Sequence, residues 1–542
     1  MEGYHGGKYR ERIVRTRLNP GQILAHDMVI RSCTHNFREN LDGIGDEEPV
    51  NLMQTGNVGR LQIIVGQGGC GKSFTVNAII TSLKEEYNWT EDNFCIYATN
   101  GKAATNINGS TLQNFVDGLG LFVVGGNFKK LAGETLIRMQ DRMKNVRLII
   151  IDKFSMLRQC ELYYIDERLR QIMGTPDESF GGITIVLTGD PAQLAPVKGN
   201  CLWDPRAQAG SHDLYSLVLY YALFQTVICL DKNMRLDSVD PDVAIFATFL
   251  LRLRDGLCTE ADWEMVKTQC SNNSMSMAEW AKHIGIGATH IFCTNREVGE
   301  HNAKCIKDLG VPIVCIEAEY TGRGHAVSTA NAGGLESRTY LAVGARVLLT
   351  KSTWQQAGLC NGAVGIVVDI VYDQESPPPK LPLTVIVDFG ESYTGRAFFE
   401  EDDHRGWVPI FPEEHEWRSE GDGIDVVEHS RKNVPLRLSF TWTMWKVQGQ
   451  TFTSKIVLHL GLKEADHGIT YTGFSRVTHF SDIGIAGGFP RARLCEKVAE
   501  QAKMERRIKA DLKRSGEALL IVVQMGARRR CRSVLARWGS WL

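Results

Sequence analysis

Paired cysteines, a dominant charge and long apolar runs are all missing from this 542-residue chain. Its fourteen cysteines lie singly, with no C-x-x-C pair and no Cys/His spacing suited to zinc, which favours a reducing, intracellular compartment. The formal charge is only -2, so any affinity for nucleic acid has to come from a local groove or tail. No apolar run approaches membrane-spanning length, and Met1 to Arg17 is polar and basic without the apolar core of a secretory signal. The arginines of that stretch suit an organellar presequence, whereas Glu2 and Glu11 argue against one. With 43% hydrophobic and 23% charged residues the composition is ordinary globular. The length suits roughly two to four domains.

What is present is far more specific. Gly66-x4-Gly71-Lys72-Ser73 follows the apolar residues Leu61, Ile63, Ile64 and Val65 and precedes Phe74, Val76 and Ile79 at helical spacing. Strand, glycine-rich turn and helix in that order form a phosphate cradle. Gly66, Gly68, Gly69 and Gly71 let backbone N–H groups face phosphate oxygens without Cβ interference. In such a cradle Lys72 reaches the β/γ-phosphates and Ser73 offers its hydroxyl to magnesium. Cys70, inside the loop at a helix start, is a candidate reactive thiol.

Further along, apolar strands end in polar loops. Phe94-Cys-Ile-Tyr-Ala98 leads into Thr99-Asn-Gly-Lys-Ala-Ala104, Leu148-Ile-Ile-Ile151 into Asp152, and Ile183-Thr-Ile-Val-Leu187 into Gly189-Asp-Pro-Ala-Gln193. A parallel α/β sheet presents chemistry at its carboxyl edge in this way. Gln22 opens a helical pattern, Arg235 follows the run Val227 to Leu230, and His290 to Cys293 ends in Thr294-Asn295, so a second α/β unit is expected. From Ala345 to about Trp417 short β-patterns punctuated by Asn361-Gly362 and Pro377-Pro-Pro379 predict a small β-barrel insertion. From Arg491 onward about 14 Lys/Arg stand against 5 Asp/Glu, a solvated helix or a phosphate-contacting arm.

Taken together these loops resemble the PIF/RecD-like branch of the superfamily-one DNA helicases, from about Leu18 to Thr478. The resemblance assigns Gln22 to adenine and Thr99 to Ala104 with Ile107 to Thr111 to a single-strand-binding motif. It assigns Asp152 to metal, and Gly189-Asp190 with Gln193 to γ-phosphate sensing. Arg235 in Asn233-Met-Arg235 and Arg476 in Tyr471-Thr-Gly-Phe-Ser-Arg476 match the two phosphate-directed arginines. Lys446, Gln448-Gly449 and Thr451 match the motif that couples DNA to the site. Expected DNA contacts are Asn100, Lys102, Thr111, Thr294, Asn295, Trp445, Lys446 and Thr451, with Trp445 either a stacking platform or a packed strand end.

The fold the resemblance implies is α/β: two RecA-like P-loop NTPase domains, an SH3-like barrel inserted in the second and a basic helical tail. The expected boundaries are 1–17 as a polar extension, 18–235 as the first domain with a small insertion near 113–145, 236–344 with 432–490 as the second, 345–431 as the barrel and 491–542 as the tail. The implied activity is ATP- and Mg2+-dependent translocation on single-stranded DNA and unwinding of forked or structured duplex. A 5′-to-3′ polarity, a monomeric motor, roles in repair, recombination and telomere maintenance, and a nuclear location in preference to a mitochondrial one go with it.

One departure bears on chemistry. Where the family carries glutamate after the metal-binding aspartate, this chain has Lys153 in Ile151-Asp-Lys-Phe-Ser-Met156. An ammonium cannot accept a proton from water, and loss of a positioned base costs about 10² to 10⁴ in rate. Two readings therefore stand beside each other, an active motor and a hydrolysis-impaired ATP- and DNA-binding protein. A small-molecule P-loop kinase is a third, disfavoured by the motif contexts of Arg235 and Arg476. Smaller departures are Asn100 for threonine, Gln113 for histidine and Trp445 for histidine.

Overall fold

Four loops that carry the candidate residues emerge from neighbouring strands of one parallel sheet. Its strands are β1 (Leu61–Gly66), β2 (Phe94–Ala98), β3 (Ser110–Thr111), β6 (Leu148–Asp152), β7 (Thr184–Gly189) and β8 (Thr226–Leu230), with a separate hairpin of β4 (Val123–Val124) and β5 (Asn127–Phe128) between β3 and β6. The order is β3-β2-β6-β7-β1-β8, every pairing parallel. This computed structural model describes residues 13–495, apart from 39–58, 100–106, 108, 113–118, 120–122, 125–126, 197–198, 205–210, 238, 286–287, 323–324, 326, 330–331, 355–356, 421–425 and 453.

Parallel strands covered on both faces are read as continuous apolar runs, and β1, β6 and β7 are buried at every position. Register then decides which loops meet. Asp152 pairs with Thr188 on one side and Ala98 on the other, while Val65 pairs with Gly189. The phosphate loop, Asp152 and Asp190 thus leave adjacent strands at the same carboxyl edge. One sheet face packs on Val76, Ile79, Ile80 and Leu83 of helix Lys72–Tyr87 and on Ala25 and Val29 of helix Pro20–Arg38. The other packs on Leu162, Ile165 and Leu169 of helix Gln159–Met173 and on Tyr220 and Phe224.

By compactness the described chain divides into one unit of residues 13–283, 448–453 and 460–495 and another of 284–447 and 454–459. That division does not follow the expected boundary at 235/236. An aromatic cluster accounts for the difference: Phe246 and Phe249 of helix Pro241–Asp255 pack on Phe480, at ring separations of 4.8 and 5.0 Å, and Phe249 also on Phe474 at 5.4 Å.

In the other unit, strand Thr289–Phe292 lies parallel to Thr441–Thr443 and Ile456–His459, with helix Asn295–Asp308 following it. Strands Trp407–Ile410, Thr384–Asp388, Val364–Val371, Arg346–Leu349 and Leu436–Leu438 form an antiparallel sheet in that order around Val347, Leu349, Val385, Val387, Val408 and Ile410. The antiparallel region therefore reaches Leu438, beyond 431, because Leu436–Leu438 pairs back onto Arg346–Leu349. Most of the basic tail, from 496 onward, lies outside the described residues, as do Met1 to Glu11 and part of the 113–145 segment. Among the described residues no helix is long and apolar enough to cross a membrane.

Candidate active site

The loop between β1 and helix Lys72–Tyr87 has the backbone its glycines imply. Gly69 and Gly71 sit at φ 95° and 79°, left-handed conformations open to glycine at little cost. Lys72 is buried, and its Nζ donates to the carbonyls of Gly66 at 2.6 Å and Gln67 at 3.0 Å. Ser73 is half-buried at the first turn, where free backbone N–H groups and the helix dipole favour an anion. Cys70 is wholly buried, which withholds its thiol from reagents in this state. Gln22 is also buried: its Nε2 donates to Cys70 O at 3.2 Å and its Oε1 accepts from Asn19 N at 3.0 Å. The glutamine thus braces the loop from below.

At the end of β6, Asp152 and Lys153 form a buried ion pair, Nζ to Oδ2 2.9 Å. Lys153 has φ 60° and ψ 40°, a left-handed conformation that is strained for a residue with a long side chain. Its carbonyl accepts from Met156 N at 3.0 Å and Thr99 Oγ1 at 3.3 Å, which holds the turn. Asp152 Oδ1 is buried with no hydrogen-bond partner. That orphaned oxygen and the Ser73 hydroxyl are the donors a magnesium ion would use, but the ammonium on the second carboxylate oxygen opposes a divalent ion there, so the residues present fit magnesium poorly.

The loop after β7 carries a second charged centre. Asp190 accepts from Arg254 Nη2 at 3.0 Å, from Ala192 N at 3.2 Å and, through Oδ2, from the Tyr471 hydroxyl at 3.0 Å. Burial alone would raise this carboxyl, but Arg254 and Lys72 together hold it below its ordinary value. Burial and the neighbouring carboxylate push the Tyr471 phenol far up, so it stays a donor. Gln193 is buried, and its Oε1 accepts from Gln448 Nε2 at 3.1 Å.

Around the loop stand two further cations. Asn233 Nδ2 donates to Gly68 O at 3.0 Å and Met234 N to Gly69 O at 2.9 Å, so the Asn233-Met-Arg235 segment is docked on the phosphate loop. Arg235 Nη1 donates to Ser475 O at 2.9 Å. Arg476 is buried, with Nε on Thr472 O at 2.8 Å and Nη1 on Gln450 O at 2.9 Å. A Cβ built on Gly68 would lie 3.2 Å from Gln193 Nε2 and 3.5 Å from Arg476 Nη2. Burial first, and then the Arg235 charge, push the Arg476 guanidinium down to about 9; burial also lowers Arg235. A buried guanidinium beside a half-buried one, the second depressing the first, is a receptor for a multiply charged anion.

The structure therefore brings Gly66 to Ser73, Gln193, Arg235 and Arg476 to one place, with Asp152 and Lys153 at the same sheet edge. Sequence reasoning missed Arg254 and Asn233 as site residues. Arg254 sits in Leu251-Arg-Leu-Arg254, which reads as one face of an ordinary amphipathic helix, and only tertiary contact sets it on Asp190.

The expected strand contacts are less gathered. Asn100 and Lys102 lie outside the described residues, and Thr111 ends the edge strand β3. Thr294 caps helix Asn295–Asp308, accepting from Glu297 N, and both Thr294 and Asn295 are exposed. Trp445 and Lys446 occupy the short helix Met444–Val447, both half-buried, and the indole Nε1 is buried with no acceptor. Burial, with a smaller effect of Arg437, pushes the Lys446 ammonium down to about 8. Thr451 is exposed.

Comparison with known proteins agrees with this arrangement. Residues 50–264 match the profile of the PIF1-like helicases. The chain is 25% identical over 470 residues to the ATP-dependent DNA helicase PIF1 of Emericella nidulans, covering 80% of this chain and 59% of that protein. Among solved structures, the Pif1 helicase from Candida albicans superposes with a TM-score of 0.63 at 22% identity, covering 91% of this chain and 99% of the other. Pif1 from Bacteroides in complex with ADP-AlF3 and single-stranded DNA gives 0.58 at 20% identity, covering 83% and 94%. The chain spans between half and three-fifths of the length of the curated relatives it first matches. By the profile over residues 50–264, by relatives at about a quarter identity and by a RecA-like parallel sheet with its phosphate loop, the chain is similar to the PIF1-like helicases.

Proposed function

We propose that the chain is an ATP-dependent DNA helicase that moves along single-stranded DNA, 5′ to 3′, and separates forked or structured duplex. The observation that carries the reading is the convergence of Gln193 and Arg476 on Gly68, with Arg235 docked through its neighbours on the same loop. In this reading Lys72 leaves its loop carbonyls for the β/γ-phosphates, and Arg235 and Arg476 neutralise charge that develops on the γ-phosphate. Gln193 orients the attacking water, and its bond to Gln448 links the phosphate end to the motif that contains Lys446 and Thr451. Ser73 and Asp152 are the residues that would face magnesium, which supplies charge neutralisation on the phosphates when bound, and the Lys153 ammonium on Asp152 weakens that hold.

Thr111, Thr294, Asn295, Trp445, Lys446 and Thr451, with Asn100 and Lys102, are the proposed strand contacts. Two RecA-like domains, an SH3-like character for the antiparallel sheet, a monomeric motor and a location in nucleus or mitochondrion complete the reading. Related Pif1 helicases solved with single-stranded DNA and studied at forked duplex DNA support the choice of DNA as partner.

The Lys153–Asp152 ion pair favours a second reading within the first, a motor whose hydrolytic step is slow as this chain stands. Steady-state ATP hydrolysis with and without single-stranded DNA tests both. We expect weak turnover in the native chain and a rise of roughly 10² to 10⁴ in Lys153→Glu, stimulated by DNA. Hydrolysis indifferent to DNA in both proteins would remove the helicase reading and favour a small-molecule phosphotransferase.

A further inference from the structure

We propose that Lys153 is a built-in cation: its ammonium takes over at Asp152 the charge a divalent metal otherwise supplies, so the site binds a nucleoside triphosphate without magnesium. The inference rests on the reading of Gly66 to Ser73 as a nucleotide cradle. It concerns what this chain has done to that cradle, and no glutamate-bearing relative could share it.

Three observations carry it. Lys153 Nζ sits 2.9 Å from Asp152 Oδ2 with the two side chains only 11% and 3% exposed, so the pair is screened from water and the carboxylate charge is already matched. The ammonium cannot easily leave. The Lys153 backbone is held in a left-handed turn by the bonds from Met156 and Thr99, and the next residue, Phe154, is fully buried. An ammonium on one oxygen of a carboxylate repels a divalent ion approaching the other, so the orphaned Oδ1 is a weaker metal ligand than its burial suggests.

The remaining positive charge is ample for a polyanion. Lys72, Arg235 and Arg476 stand at the same loop, and the carboxylates near them, Asp190 and Asp152, are each already paired, with Arg254 and with Lys153. A triphosphate entering this site meets fixed cations, with the Lys153 ammonium at the carboxylate where a diffusible metal would otherwise sit. Lys153 is thus a binding residue where the family's glutamate is a catalytic one.

Equilibrium binding of a fluorescent ATP analogue to the full chain, in excess magnesium and in EDTA, tests the proposal. For the native chain the two dissociation constants should agree within about threefold, whereas Lys153→Met and Lys153→Glu should lose about tenfold or more in EDTA and regain it with magnesium. Lys153→Met adds no second buried carboxylate, and a thermal melt of each variant verifies that it is folded. A native chain that needs magnesium as strongly as Lys153→Met would overturn the proposal while leaving the nucleotide site intact. A folded native chain that binds the analogue in neither buffer would overturn the nucleotide-site reading, and the proposal with it.

Discussion

At the scale of single residues, charge placement decides more than residue type. Asp190 lies in an apolar surrounding that would neutralise an isolated carboxyl, and it stays ionised because Arg254 is 3.0 Å away. Removing the guanidinium in Arg254→Ala leaves a buried charge with only a phenol and one backbone N–H. We expect a loss of about 3 kcal/mol in urea unfolding at neutral pH. Because the folded carboxyl titrates below its unfolded value, its stabilisation is present above the unfolded pKa and disappears as pH falls through the folded one. The acid limb of native stability should therefore flatten in Arg254→Ala; an unchanged limb would assign it to other carboxylates. Lys153 shows the same principle from the other side. Its identity was readable in the sequence, and so was the loss of a base, but its bond to Asp152 was not, since lysine side chains have no preferred partner until the fold supplies one.

At the scale of elements, local pattern was a good guide wherever one element completes a feature by itself. The strand, loop and helix from Leu61 to Tyr87 stand where the apolar run and glycine spacing put them, because backbone geometry there depends on neighbours in sequence. Gly69→Ala is expected to be costly, since φ is 95° and an added Cβ would meet Arg235 Cβ at 2.8 Å. A loss of roughly 1 to 3 kcal/mol in chemical unfolding, with weaker nucleotide binding, should follow. Helix Pro241–Asp255 was less legible. Its Phe246 and Phe249 pack on Phe474 and Phe480, more than two hundred residues away, which no local pattern discloses. Phe249→Ala should cost about 3 to 5 kcal/mol by thermal unfolding. A loss below 1 kcal/mol would mean that this cluster does not hold the helix to its unit.

At the scale of the whole molecule, the testable quantity is how DNA affinity responds to salt and pH. Lys446, pushed down to about 8 by burial, carries a proton at pH 7 and sheds it by pH 9. If it contacts a phosphate, the slope of log affinity against log salt on single-stranded DNA should shrink by about 0.7 between those pH values. Lys446→Arg should remove the pH dependence, and a constant slope in the native chain would strike Lys446 from the interface. The order of phosphate loop, Asp152, Asp190, Arg235 and Arg476 along the chain was legible from sequence alone, because the first four follow strand ends and Arg476 closes the local run Tyr471-Thr-Gly-Phe-Ser-Arg476 at a helix end. Their meeting was not: Gly68 faces Gln193 and Arg476 only because parallel register aligns β1 with β7 and the 469–476 segment packs against both Asp190 and Arg235. Sequence by itself determined that a phosphate cradle exists and that the position after Asp152 holds a cation. Tertiary structure alone decided where that cation points: a lysine side chain can reach many partners, and here burial in the turn held by Met156 and Thr99 leaves it folded back on Asp152.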